Sequence, residues 1–234
     1  MKALIFDCDG VIVDTERDGH RVAFNAAFAE LSIEVLWDVS LYGELLAISG
    51  GKERMRHYFD TRGWPAAFPE REDLIRRLHE RKTELFMEII SQGGLPLRPG
   101  VARLVDEAKL AGLALAVCST SNERAVGLIL EKMLGAERLG AFAAVLAGDV
   151  VKRKKPDPEI YLVARERLGL RGAECVVVED SRNGLLAAKA AGMRCLVTKS
   201  GYTAAEGFAE ADAVVEELGD PPGDCISIAD LRRL

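Results

Sequence analysis

The chain has 234 residues, 49% of them hydrophobic, and a formal net charge of -6 at pH 7. That apolar share suffices for the core of one large domain or two modest ones, and the acidic balance argues against a general affinity for nucleic acid or anionic membrane. No apolar run approaches the roughly 18 residues of a spanning helix, and Cys8, Cys118, Cys175, Cys195 and Cys225 lack disulfide or metal-ligand spacing, so a soluble, cytoplasmic protein with reduced core thiols is expected.

Ala3, Leu4, Ile5 and Phe6 form a continuous apolar run, the pattern of a strand covered on both faces of a parallel sheet. The run leads straight into Asp7-Cys8-Asp9-Gly10. Alternate residues of an extended chain share a side, so Asp7 and Asp9 are predicted to project together at the strand's carboxyl end, where open α/β sheets bind ligands. Two like charges this close need a cation, a shared proton or hydrogen-bond donors to offset their repulsion. Magnesium meets that need with oxygen ligands, waters and a substrate phosphate, so the pair points to metal-assisted phosphate chemistry, although Asp-x-Asp-Gly alone is also a common turn sequence.

From Asp14 to about residue 31 the period becomes helical, with Val22, Ala23, Ala26, Ala27 and Phe28 on one face. Helical patterns continue over 51–60 and 70–91, broken at Gly63-Trp64-Pro65 and at Gly93-Gly94. Residues 16–91 are therefore predicted to form an all-helical insert, with 1–15 and 92–234 as the core domain. At Leu97-Arg98-Pro99-Gly100 the composition changes. Strands are predicted at 113–118, 143–147, 175–178, 194–198 and 213–215, and helices at 101–111, 122–134, 158–168, 183–191 and 204–210. That alternation is the signature of an α/β fold with a doubly wound parallel sheet. After Pro221-Pro222-Gly223 a short final segment, 226–234, suits a helix or an edge strand.

Three further features close predicted strands. Ser119-Thr120-Ser121-Asn122 is a row of small donors opening a helix, able to cradle a phosphate and equally able to serve as an ordinary N-cap. In Lys152-Arg153-Lys154-Lys155-Pro156-Asp157-Pro158, cations crowd against two prolines. Lys155 is the candidate for a fixed positive charge beside phosphate and Asp7, and its three basic neighbours read as a solvated loop. Glu179-Asp180 repeats the opening acidic device, as a candidate metal pair or the cap of the next helix.

In this order over the whole chain, Asp7-Cys8-Asp9-Gly10, Ser119, Lys155-Pro156 and Glu179-Asp180 resemble the motifs of the haloacid dehalogenase superfamily of phosphohydrolases and mutases. The helical insert resembles that superfamily's α-helical cap domain. Ile48-Ser49-Gly50-Gly51-Lys52-Glu53-Arg54, Leu78-His79-Glu80-Arg81-Lys82-Thr83 and Leu95-Pro96-Leu97-Arg98-Pro99-Gly100-Val101 are similar to the CbbY family, phosphatases associated with the Calvin cycle that hydrolyse xylulose 1,5-bisphosphate. Between Glu16 and His20 the chain reads Arg17-Asp18-Gly19, one residue more than the family pattern.

The resemblance implies that Asp7 attacks phosphorus to form a phosphoaspartate and that Asp9 serves as acid and base. It implies magnesium on Asp7, the Asp9 carbonyl and Asp180, with Glu179 as an inner or outer ligand, while Ser119 and Lys155 hold the transferring phosphoryl oxygens. Substrate binding is implied for Glu16 at a sugar hydroxyl, for Gly50, Gly51, Lys52, Glu53, Arg54, His79, Arg81 and Lys82 at a distal phosphate, and for Ser119, Thr120, Ser121 and Asn122. The expected partner is a small phosphorylated sugar, with no nucleic acid or membrane and the chain a monomer, and cap closure would exclude water. A sugar phosphomutase or phosphoglycolate-type phosphatase would share the core motifs and differ in the cap. A phosphoacceptor signalling module would share the acidic cluster, hydroxyl and lysine, but it needs about 100 to 150 residues and no cap.

Overall fold

The structure, a computed structural model, describes every residue except Gly94, so that half of the predicted Gly93-Gly94 break lies outside the described residues. The chain divides into two compact units, Met1–Asp14 with Pro96–Leu234, and Thr15–Leu95. The first is built on a six-stranded sheet of order β3-β2-β1-β4-β5-β6, all parallel. Its strands are β1 (Ala3–Phe6), β2 (Ala114–Cys118), β3 (Phe142–Leu146), β4 (Cys175–Glu179), β5 (Arg194–Thr198) and β6 (Ala213–Val215). β1 is central, and all four of its residues are fully buried, as an apolar run without alternation requires. The chain builds outward from β1 to β2 and β3, then returns to place β4 on the other side. The topological switch point, where ligands bind in such sheets, therefore falls at the carboxyl end of β1.

The second unit holds α1 (Arg21–Glu30), α2 (Val39–Leu45), α3 (Gly51–Arg62) and α4 (Arg71–Ser91). Its core is aromatic. The Trp37 ring lies 4.8 Å from Phe24, 5.0 Å from Phe28, 5.4 Å from Tyr58 and 6.0 Å from Tyr42. Asn25 fixes Trp37 from α1, its side chain accepting from the Trp37 N–H and donating to the Trp37 carbonyl, both at 2.8 Å. Glu16–His20 forms a π turn, in which the His20 N–H reaches back five residues to the Thr15 carbonyl at 2.8 Å.

Around the sheet lie α5 (Val101–Leu110), α6 (Glu123–Ile129), α7 (Gly135–Leu139), α8 (Glu159–Leu168), α9 (Arg182–Ala190) and α10 (Ile228–Arg233). On α5 the buried residues Val101, Leu104, Val105 and Ala108 recur at helical spacing. Arg98 ties three strand ends together, its guanidinium donating to the carbonyls of Gly10, Lys199 and Glu216. The final segment is a helix, α10, opened by a Ser227 capping box.

The predicted helix over 204–210 does not form. Residues 201–206 make turns, because Ser200 and Thr203 bond to one another. Arg182 draws the rest of the segment inward, its backbone N–H donating to Glu206 and its guanidinium to the Gly207 carbonyl and Glu210. Four cysteines are buried free thiols and Cys225 is half-buried. Among the described residues no helix is long and apolar enough to cross a membrane.

Trp37→Ala should lower the stability of the helical unit by ~3–5 kcal/mol, as for other buried aromatic truncations. Leu36→Ala, at a 72% exposed position of the same unit, should change it by less than about 0.5 kcal/mol. Thermal unfolding of both variants checks this, and equal shifts would deny Trp37 its central place.

Candidate active site

The three adjacent strands β2, β1 and β4 end side by side. The ladder runs one residue beyond β1, the Asp7 N–H donating to the Val178 carbonyl at 3.0 Å. One step beyond β2, the Ser119 N–H donates to the Leu146 carbonyl at 2.9 Å. Asp7 and Ser119 are thereby fixed to the sheet itself, Asp180 directly follows the last residue of β4, and all three are buried. After Asp7 the chain turns sharply at Gly10, whose φ of +77° suits glycine and whose missing side chain leaves room for the Asp180 carboxylate.

Lys155 reaches this point from the loop before α8. Its ammonium donates to Asp7 Oδ1 at 2.6 Å, to Glu179 Oε1 at 2.5 Å and to the Cys118 carbonyl at 2.9 Å. Those three bonds use every donor an ammonium has. Glu179 Oε1 also accepts from the Tyr161 hydroxyl, while Glu179 Oε2 accepts from the Asp180 N–H at 3.3 Å. Oxygens of Asp7, Glu179 and Asp180 lie within 4.8 Å of one another.

One ammonium cannot balance these buried carboxylates. Burial pushes Asp7 well above the ordinary aspartate value, Lys155 opposes the shift, and Glu179 and Asp9 add to it. Burial alone would lower the Lys155 pKa, but Asp7 and Glu179 reverse this and hold it protonated far above the usual lysine range. A compact all-oxygen set with excess negative charge fits a magnesium ion.

Asp9 lies close enough to Asp7 to add to its shift and is held by the segment after β2. Its Oδ2 accepts from the Ser121 hydroxyl at 2.5 Å and from the Ser119 hydroxyl at 3.4 Å. Ser119 Oγ in turn accepts from the Ser121 N–H at 3.0 Å, so two of the predicted phosphate-cradle residues hold the carboxylate. Asn122 caps α6 through the Arg124 N–H, and Thr120 is half-buried between them. In the basic loop, Arg153 pairs with Asp157 and Glu159. Lys154 is not solvated as expected: its side chain is 9% exposed and bonds to Asp149 and the Gly148 carbonyl.

In the helical unit the predicted residues form separate groups. Tyr42 donates to Glu16 Oε2 at 2.5 Å and accepts from Arg54 Nη1 at 2.9 Å, and Arg54 Nε donates to the carbonyls of Leu45 and Ile48. Buried Lys82 lies 2.8 Å from His20 Nδ1, with its ammonium above the rings of Phe24 and Phe86. Gly50, Gly51, Lys52 and Glu53 form the start of α3. The Glu53 carboxylate folds back over Gly50, and the His79 ring packs beside Gly51. Arg81 stands apart from these groups, paired on the α4 surface with Glu30, Glu84 and Glu88.

Residues 1–192 match the haloacid dehalogenase-like hydrolase family. The chain belongs to that family. A CBBY-like protein of Arabidopsis thaliana is 58% identical over 97% of this chain and 72% of its own length. The plasmid-encoded CbbY protein of Cupriavidus necator is 43% identical over the whole chain and 95% of its own length. A crystallised CbbY variant from Rhodobacter sphaeroides, in complex with xylulose 1,5-bisphosphate, is 39% identical with a TM-score of 0.90 and 99% coverage of both chains. The chain is thus a CbbY-like member of the haloacid dehalogenase-like hydrolases.

Sequence reading of this hydrolase passed over Tyr161 and Tyr42. Both are fully buried and look like core aromatics by pattern. The available signal was the hydroxyl, because a buried tyrosine needs a polar partner and so marks a polar group nearby.

Gly184, in the first turn of α9, packs so closely under Glu179 that a Cβ there would fall on the carboxylate. Gly184→Ala should lower stability by ~1–3 kcal/mol through overpacking and reduce activity as Glu179 is displaced. Gly127→Ala, with open space around it, should do neither, and comparable losses in both variants would remove the packing explanation.

The Asp7 shift has a sign that can be measured. In metal-free buffer a raised folded-state pKa means the native chain binds this proton more tightly than the unfolded chain. The group's contribution to stability then falls as pH rises past the ordinary aspartate value of about 4. Asp7→Asn should therefore gain melting temperature relative to the parent between about pH 4 and pH 7 in chelator. A gap that stays constant across that range would contradict the burial argument.

Proposed function

We propose that this hydrolase is a magnesium-dependent phosphatase acting through a phosphoaspartate on a small phosphorylated sugar, with xylulose 1,5-bisphosphate as its substrate. The observation that carries the reading is the Lys155 ammonium bonded to Asp7 within a buried set of Asp7, Glu179 and Asp180 oxygens. Similarity over nearly the full length to a CbbY variant crystallised with that bisphosphate supports the choice of sugar.

Asp7 is the nucleophile. One of its carboxylate oxygens forms a bond to phosphorus as the bond from phosphorus to the sugar oxygen breaks, leaving an acyl phosphate. Asp9, held by Ser121 and Ser119, gives its proton to the departing sugar oxygen. It then takes a proton from the water that attacks phosphorus, regenerating Asp7 and releasing phosphate. Lys155 and Ser119 stabilise charge on the transferring oxygens. Asp7, Asp180 and the Asp9 carbonyl would hold magnesium, which when bound offsets the repulsion between a carboxylate nucleophile and a phosphate. Glu179 braces Lys155 from the far side of this set, because both its oxygens already accept protein donors. In the helical unit we assign recognition of the sugar and its second phosphate to Glu16, Arg54, Lys52 and Lys82, with Gly50, Gly51, Glu53 and His79 shaping the start of α3.

The test is magnesium-dependent release of phosphate from xylulose 1,5-bisphosphate beside ribulose 1,5-bisphosphate, β-glucose 1-phosphate and phosphoglycolate. The first should be preferred by a wide margin, with turnover lost in chelator and in Asp7→Asn and reduced by roughly 100-fold or more in Asp9→Asn. Conversion of β-glucose 1-phosphate without net phosphate release, dependent on a bisphosphate activator, would replace the phosphatase with a mutase.

A further inference from the structure

Lys155 stands between two carboxylates at nearly equal distance, 2.6 Å from Asp7 and 2.5 Å from Glu179. Its third bond, to the Cys118 carbonyl, is neutral. Where the ammonium settles is therefore decided by the relative pull of the two acids, and full binding to Glu179 would draw it away from Asp7 and the phosphoryl position. Both acids are buried, so water does not blunt the competition.

Tyr161, in the first turn of α8, bears on that balance in two ways. Its hydroxyl donates to Glu179 Oε1, the same oxygen that Lys155 uses. Its ring lies beneath the ammonium, 5.1 Å from centroid to Nζ. A second donor on Oε1 takes up part of the carboxylate's negative charge without adding a cation, which weakens its hold on Lys155. The ring face offers the ammonium a favourable floor that does not compete for its protons.

We propose that Tyr161 is a positioning residue for phosphoryl transfer: by sharing Glu179 Oε1 and flooring the ammonium, it keeps Lys155 directed at Asp7. The inference rests on the proposed phosphoaspartate chemistry and adds a residue that does not touch substrate. A purely structural tyrosine would fill the core and find one partner for its hydroxyl, and would affect stability alone.

Tyr161→Phe keeps the ring and removes the hydroxyl. Assayed with magnesium on both p-nitrophenyl phosphate and xylulose 1,5-bisphosphate, it should lower kcat about 10-fold, the scale of one lost hydrogen bond to a charged group, with KM changed by less than about twofold. In a Glu179→Gln background the same substitution should lower kcat by clearly less than it does alone, since the two act through one oxygen. Should Tyr161→Phe fail to fold, Tyr161→Met, which fills the space without hydroxyl or ring, carries the test by itself, with the same signature of reduced kcat at near-constant KM. Unchanged kcat in Tyr161→Phe, a loss confined to KM, or full additivity with Glu179→Gln would overturn the proposal. In the fallback, so would parental kcat in Tyr161→Met. An Asp7→Asn control separates the two levels: turnover surviving it would sink the nucleophile reading and this inference together. An inactive Asp7→Asn beside a fully active Tyr161→Phe would sink the inference alone.

Discussion

The site depends on an imbalance of buried charge. Three strands without alternation, β2, β1 and β4, lie together at the middle of the sheet, and their carboxyl ends deliver Asp7, Glu179 and Asp180 into a dry region. Desolvation of each such ion costs several kcal/mol even after relaxation. A single ammonium returns part of that through Coulomb attraction, and the remaining deficit is a negative potential that a further cation would offset. The same burial raises the Asp7 pKa well above its ordinary value, so the charge that the sheet places here is held at a cost to the folded chain.

Holding that imbalance in a fixed geometry falls to the backbone. Asp7 and Ser119 extend the sheet ladder, so their side chains inherit strand register instead of loop freedom. The acidic pair on β4 needs space that side chains would deny, and Gly10 and Gly184 supply it from two directions. Ser181 and Asn122 cap the helices that leave the site, which keeps the two strand-to-helix turns short and their remaining amides oriented. Arg98 then joins the Gly10 turn to the ends of β5 and β6.

Much of this was legible in the sequence, because burial on both faces leaves a continuous apolar run and chemistry at a strand end leaves a polar break. The runs at β1, β2 and β4 could hardly be read otherwise, and the motifs that close them fall where the sheet ends. The segment over 204–210 misled for a physical reason: its alanines and glutamates favour a helix locally, but the acids serve Arg182 and Gly207 interrupts the turn. α2 was passed over because seven residues do not carry a full apolar period. Between Glu16 and His20 the chain forms a π turn, a wider helical form that sequence periodicity at 3.6 residues does not register.

What pattern could not show is how the charged groups are balanced, and here the two units use the same device. In the sheet unit a buried phenol donates to Glu179 while a lysine sits over its ring. In the helical unit Tyr42 donates to Glu16 while the Arg54 guanidinium lies 5.2 Å from its ring centroid. In both places a carboxylate already faces a cation, and a second full charge would overcommit it. A phenol supplies a donor, an acceptor and a π face while remaining neutral at physiological pH, so it can trim the carboxylate's pull without changing net charge. Phenylalanine at either position would preserve the apolar pattern and the packing and lose that adjustment. The information that separates a filled core from a tuned site therefore resides in a single hydroxyl, which hydrophobic periodicity cannot register.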